Sequence, residues 1–175
     1  MGESMPRLLL LRHAKSRWDD PELADHERPL APRGWRATEI ISGHLRARGF
    51  STELVLCSSA ERARETLAGI ADALGDAVEV EIDDGIYGAS ERELRERVRR
   101  IDDDTGSAMV IGHNPGIGEL AVDLAGSGEA LDEMRAKFPT AALATLEWEG
   151  SWSALASGAA ALVDFVTPKL LAARG

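Results

Sequence analysis

Arg7-Leu8-Leu9-Leu10-Leu11-Arg12-His13 sets four consecutive leucines ahead of an arginine and a histidine. The run has neither a 3.6-residue period nor an alternation, so it reads as a strand buried on both faces that empties into a loop at His13. Two later segments repeat the design. Leu54-Val55-Leu56-Cys57 runs into Ser58-Ser59, and Ala108-Met109-Val110-Ile111-Gly112 runs into His113-Asn114-Pro115-Gly116. Between them lie helical stretches. Gly34 to Arg48 carries an apolar stripe at Ala37, Ile40, Ile41 and Leu45 and stops at Gly49. A second helix opens at Ser58-Ser59 and runs to about Leu74, with Gly75 closing it. Val78 to Ile82 alternates and reads as a half-buried strand near a sheet edge. Glu91 to Ile101 reads as a charged helix, and Ile117 to about Ala125 as an apolar one. Residues 20–32, with Pro21, Pro29 and Pro32, read as loop.

The last third changes character. Ala141 to Trp148 alternates, Gly150 to Ser153 turns, and Gly158 to Val166 is strand-like again, so two further strands are expected, at least one antiparallel. The whole pattern predicts an α/β fold: a mostly parallel sheet with helices on both faces, a three-layer α/β/α sandwich. No internal repeat, low-complexity tract or linker interrupts it, so residues 1–175 are expected to form one domain, with 1–6 a loose N-terminal extension.

Composition narrows the function. Hydrophobic residues make up 44% and charged residues 29% of 175 residues, an ordinary globular balance with enough chain for a core. The lone cysteine, Cys57, allows no intrachain disulfide and no four-thiolate metal site, which fits a reducing compartment. The start, Met1-Gly2-Glu3-Ser4-Met5-Pro6, lacks the basic region of a signal peptide, and Pro6 stands where a myristoylation motif needs Ser or Thr. No apolar run approaches the length of a bilayer span, so a cytoplasmic location is expected. The formal net charge of −10 argues against general nucleic-acid binding. It would also repel a phosphorylated substrate, so any phosphate chemistry requires a local cluster of cations.

The three buried strands supply candidates for that cluster. Binding sites of open α/β sheets form outside the carboxyl ends of the strands. One strand ends in Arg12-His13, the second in Ser58-Ser59 with Arg62 one turn on, the third in His113-Asn114. If the strands are neighbours, two histidines and two arginines converge. A neutral imidazole can attack phosphorus and form a covalent phospho-enzyme. Guanidinium forks match the equatorial oxygens, and a second histidine supports the charge that builds in the transition state.

Leu11-Arg12-His13-Ala14-Lys15-Ser16 resembles the Arg-His-Gly motif of the histidine phosphatase (phosphoglycerate mutase-like) superfamily. Ser58 to Thr66 looks like its second motif, with the pocket arginine at Arg62, and Gly112-His113-Asn114-Pro115 like its third. Arg28-Pro29-Leu30 and Gly34 fit its spacing. Phe138-Pro139-Thr140-Ala141-Ala142 and Phe165-Val166-Thr167-Pro168-Lys169 resemble the short phosphohistidine phosphatase (SixA-like) branch. The resemblance covers residues 7 to about 170. It implies a phosphoglycerate mutase-like fold, phosphoryl acceptance by His13, phosphate binding by Arg12, Arg62 and His113, and neither metal nor organic cofactor. Ser16, Ser58, Asn114 and Arg28 join as candidate phosphate or substrate contacts.

Two positions depart from the superfamily. Ala14 replaces the common glycine, as in the short branch, and Asp19 stands where mutase-like members carry a phosphate-holding asparagine. No general acid stands out; the candidates are Asp19, Asp20, Glu22 and Asp84. A phosphohistidine substrate leaves as imidazole, a better leaving group than an alkoxide, so it makes less demand for one. The short span between Arg62 and His113 leaves little room for a capping insertion, which favours a phosphorylated protein side chain as substrate. A small-molecule phosphomonoesterase and a phosphate-binding module without turnover are the alternatives. His26 and His44 read as ordinary loop and helix residues, Cys57, Trp35, Trp148 and Trp152 as packing, and Trp18 as a lining of the pocket mouth.

Overall fold

Leu8, Leu9, Leu10 and Leu11 are all fully buried, because β1 (Arg7–Arg12) runs through the middle of the sheet. The computed structural model describes residues 5–175; the first four residues of the extension expected over 1–6 lie outside the described residues. After β1 come α1 (Pro32–Arg48), β2 (Leu54–Ser58), α2 (Glu61–Leu74) and β3 (Glu79–Asp83). Then follow α3 (Glu91–Arg99), β4 (Ser107–Gly112), α4 (Gly116–Leu124), β5 (Ala125–Ser127) and α5 (Leu131–Ala136). The chain closes with β6 (Leu143–Glu147), β7 (Ala160–Val166) and α6 (Pro168–Arg174).

One seven-stranded sheet has the order β3-β2-β4-β1-β6-β7-β5. β3, β2, β4 and β1 are parallel; β6 runs antiparallel between β1 and β7, and β5 pairs parallel with β7. Strand side chains alternate between the faces. Leu8, Leu10, Leu56 and Val110 therefore pack against Leu94 and Val98 of α3, Leu120 of α4 and Met134 of α5. Leu9, Leu11, Val55, Cys57 and Ile111 meet Ile41 and Leu45 of α1 and Ile70 of α2 on the other face. The layers are thus helix, sheet, helix, as the sequence pattern predicts.

Several details differ from the sequence reading. β3 is the sheet edge, but it is exposed along nearly all its length instead of half buried, with Val80 at 43% and Ile82 at 50%. Its Glu79 and Glu81 supply the charges that keep an edge from pairing with other chains. β5 and α5 were not expected, being too short, at three and six residues, to impose a period. α6 was also missed, although Thr167 caps it by accepting from the Leu170 N–H (3.1 Å) and Pro168 opens it. α1 starts two residues early, at Pro32, whose fixed φ suits a first helical position. Its end matches expectation: Gly49 is left-handed at φ 64°. No helix among the described residues is long and apolar enough to cross a membrane.

Candidate active site

β2, β4 and β1 are adjacent and parallel, so their carboxyl ends open on one crevice. His13 sits one residue beyond β1, its N–H donating to the Gly112 carbonyl at 3.0 Å. Three elements pin the loop that carries it. The Ala14 N–H donates to Thr66 Oγ1 (2.9 Å), whose own hydroxyl donates to the Arg62 carbonyl one turn back in α2 (2.7 Å). From the far side the Ala141 N–H is shared between the Arg12 and His13 carbonyls (3.1 and 3.0 Å). Ala141 takes a left-handed φ of 60° to reach them.

His13 Nδ1 lies 2.7 Å from the Ala14 carbonyl oxygen. A carbonyl only accepts, so in the neutral ring Nδ1 carries the proton and Nε2 keeps the lone pair. Burial, then the positive surroundings from His113, Arg62 and Arg12, push the ring's pKa down to about 3, against the opposing pull of the Ala14 bond. The imidazole is neutral at pH 7.

His113 stands beside it, ring centroids 5.1 Å apart, with Nε2 at 2.7 Å from Ser58 Oγ. Ser58 Oγ also accepts the Ala60 N–H (3.2 Å), which braces the entry to α2. Burial, followed by the nearby Arg62 charge, pushes His113 down to about 4. Burial and Arg62 likewise lower Arg12. Arg12 Nε, Arg62 Nε and His113 Nδ1 are buried with no hydrogen-bond partner among the described residues. Buried polar nitrogens without partners are rare, and three around two guanidinium groups suit an incoming anion.

One carboxylate already faces this cluster. Asp25, in the short 3-10 turn Asp25–Glu27, accepts from Arg62 Nη2 (3.0 Å), from Arg28 Nη2 (3.0 Å) and from the Tyr87 hydroxyl (2.6 Å). Its backbone carbonyl takes Arg62 Nη1 at 2.7 Å. The Tyr87 hydroxyl first, then Arg28 and Arg62, hold its carboxyl well below the usual range, so it is ionised. Tyr87 stands edge-on to His113 and to His26 (centroids 5.5 and 4.8 Å). His26 Nε2 reaches Ser59 Oγ at 2.9 Å.

The structure thus brings Arg12, His13, Ser58, Arg62 and His113 together. The other expected contacts are engaged elsewhere. Arg28 is buried, donates to Ser16 Oγ (2.7 Å) and pairs with Asp25, so Ser16 and Arg28 brace the loop. Trp18 covers the Arg28 guanidinium at 3.5 Å. Both ends of the Asn114 amide are taken: Nδ2 donates to the Phe138 carbonyl (2.8 Å) and Oδ1 accepts the Gly118 N–H (3.2 Å). Arg12 Nη1 donates to the same Phe138 carbonyl (3.2 Å), so Arg12 and Asn114 share one backbone acceptor.

None of the acid candidates hydrogen-bonds a member of the cluster among the described residues. Asp19 pairs with Arg17 (2.7 Å), and Asp20 accepts the Glu22 N–H (3.0 Å). Glu22 and Asp84 are exposed. Asp25, His26 and Tyr87 were not anticipated. His26 read as an ordinary loop residue, and the only signal for Asp25 is its place in the proline-rich segment beside Arg28-Pro29. Tyr87 lies three residues after the acid candidate Asp84 and carries a hydroxyl there. His44, which read as an ordinary helix residue, bonds Asp164 at 2.6 Å and so ties α1 to β7.

Comparisons with known proteins bear on this arrangement. The family model of the histidine phosphatase superfamily (branch 1) matches residues 8–93. An uncharacterized Mycobacterium tuberculosis protein is 40% identical over 163 residues, 91% of this chain and the whole of that protein. A solved structure from Nakamurella multipartitia, provisionally named phosphohistidine phosphatase SixA, is 30% identical with a TM-score of 0.83, covering 95% of this chain and 98% of that one. A protein of the same provisional name from Agrobacterium tumefaciens is 29% identical with a TM-score of 0.78, covering 93% and 98%.

Proposed function

The chain belongs to the histidine phosphatase superfamily, in its SixA-like branch, and we propose that it is a phosphatase whose His13 takes up the phosphoryl group of phosphohistidine or another phosphorylated protein side chain. One observation carries this reading: the Ala14 carbonyl fixes the His13 tautomer, leaving a buried neutral Nε2 lone pair beside two guanidinium groups.

In the first step Nε2 attacks phosphorus. The phosphorylated ring of the substrate first takes a proton from solvent on its free nitrogen; the bond from phosphorus to its other nitrogen then breaks as the bond to His13 forms, and the ring departs as neutral imidazole. Water then displaces His13 from phosphorus and gives up its proton to solvent, releasing inorganic phosphate and the free ring. Arg12 and Arg62 match the equatorial oxygens, and His113 donates to a third. The positive charge comes from arginine, so no metal is required.

The electrostatics favour a good leaving group. Asp25, the carboxylate against the cluster, is held ionised and is a poor proton donor. An alkoxide leaving group needs such a donor; an imidazole does not. The two provisionally named relatives fit this preference.

Phosphate release from an aryl phosphate and from a phosphohistidine peptide tests the proposal. Wild type should turn over both and favour the peptide, EDTA should change nothing, and His13→Ala should fall by at least about 10³-fold. Undiminished turnover by His13→Ala, or wild type inert on both substrates, would overturn it.

A further inference from the structure

A groove of about 890 Å³ runs between the loop after β1, α1, the segment after α5, and α6. All three lysines of the chain line it, Lys15, Lys137 and Lys169, together with Arg33 and Arg36. Glu133 is the single carboxylate among its lining residues. This concentration stands out on a chain of net charge −10. Elsewhere the arginines are largely neutralised: Arg7 pairs with Glu147, Arg95 with Glu91 and Asp123, and Arg97 with Glu81 and Asp83. None of the five groove cations has a carboxylate within ion-pair distance among the described residues.

Two of its lining residues are joined to the crevice along the chain. Lys15 is two residues beyond His13, and Pro139 follows Phe138, whose carbonyl holds Arg12. Its lining is apolar between the cations, at Ile40, Phe165 and Leu170. The five cations are exposed and spread over four segments, the loop after β1, α1, the segment after α5, and α6, so they suit a row of carboxylates better than one compact phosphate.

We propose that this groove binds an acidic segment of the substrate protein, flanking the phosphorylated side chain that enters the crevice. The inference rests on the reading of the chain as a protein phosphatase. The groove supplies affinity and substrate choice while His13 supplies chemistry, and the local positive field offsets the repulsion of the acidic surface.

A labelled, unphosphorylated octapeptide of glutamates and leucines measures the groove without turnover, so it can fail while His13 chemistry stands, and the reverse. At low salt wild type should bind it at least tenfold more tightly than a lysine-for-glutamate version. Lys137→Glu/Lys169→Glu should weaken it roughly tenfold, two reversed ion pairs at a few-fold each. Arg92→Glu/Arg100→Glu makes the same change of net charge on exposed arginines outside the groove and should weaken it far less. Salt of about 0.5 M should remove most of the preference. On phosphohistidine peptides, the ratio of kcat/KM between acidic and neutral flanks should collapse towards one in the groove variant.

Equal binding of the acidic and basic peptides overturns the proposal, as does equal weakening by both double variants. Tighter binding of inorganic triphosphate than of the peptide would identify a small polyanion as the occupant instead. Self-association abolished by Lys137→Glu/Lys169→Glu would identify a second copy of the chain.

Discussion

Acidification should unfold this protein through the two histidines of its crevice. His13 is pushed down to about 3 and His113 to about 4, whereas both rings in an unfolded chain titrate near 6.5. Below pH 6.5 the unfolded chain takes up protons that the folded chain refuses. Stability therefore falls with falling pH, at about 1.4 kcal/mol per pH unit for each ring. The loss ends at the folded values, near pH 4 for His113 and near pH 3 for His13. Two units below 6.5, at pH 4.5, the rings together cost about 5 kcal/mol, comparable to the whole stability of a modest domain. Asp25 does not confuse the measurement. Its depressed value gives stability that is present above its unfolded value of 3.8 and is lost only below it. Urea unfolding followed by circular dichroism at pH 7.5 and 4.5 provides the assay, with the non-titrating double variant His13→Gln/His113→Gln as reference. Wild type should lose about 5 kcal/mol more than the variant between the two pH values. Losses equal to within about 1 kcal/mol would refute the reasoning, because the rings would then not be buried as neutral groups.

Thr66→Val keeps the shape but strips the acceptor from the Ala14 N–H, so it should cost about 1–3 kcal/mol and lower kcat by loosening the loop that carries His13; denaturant midpoints and aryl phosphate turnover measure the two effects. Gly34→Ala drives its Cβ into the Lys15 carbonyl and should destabilise by more than about 2 kcal/mol, whereas Gly43→Ala, in the same helix with open space around it, should stabilise by up to about 1 kcal/mol. Thermal melts of the two alanine variants side by side check both signs.

Much of the framework was legible in the amino-acid order. Four leucines in succession mark a strand covered on both faces, and β1, β2 and β4 all follow that rule. Gly49 announces the end of α1 because its left-handed φ suits glycine. Arg12, His13, Arg62 and His113 could be named because each follows or nearly follows a buried strand, where α/β sheets place their chemistry. β5 and α5 escaped because a period needs more residues than they contain.

The layers, six of the seven strands and the residue types at their ends follow from residue order alone, since periodicity and burial are local properties. Only the tertiary structure decided that β4 lies between β2 and β1, which brings the two histidines to 5.1 Å. It alone set Asp25 against Arg62 and Tyr87, which stand 37 and 62 positions away along the chain. It alone gathered Lys15, Lys137 and Lys169 along one groove. Contacts at such separations depend on how strands pair and loops close, and no local pattern of residues encodes the partner across that distance.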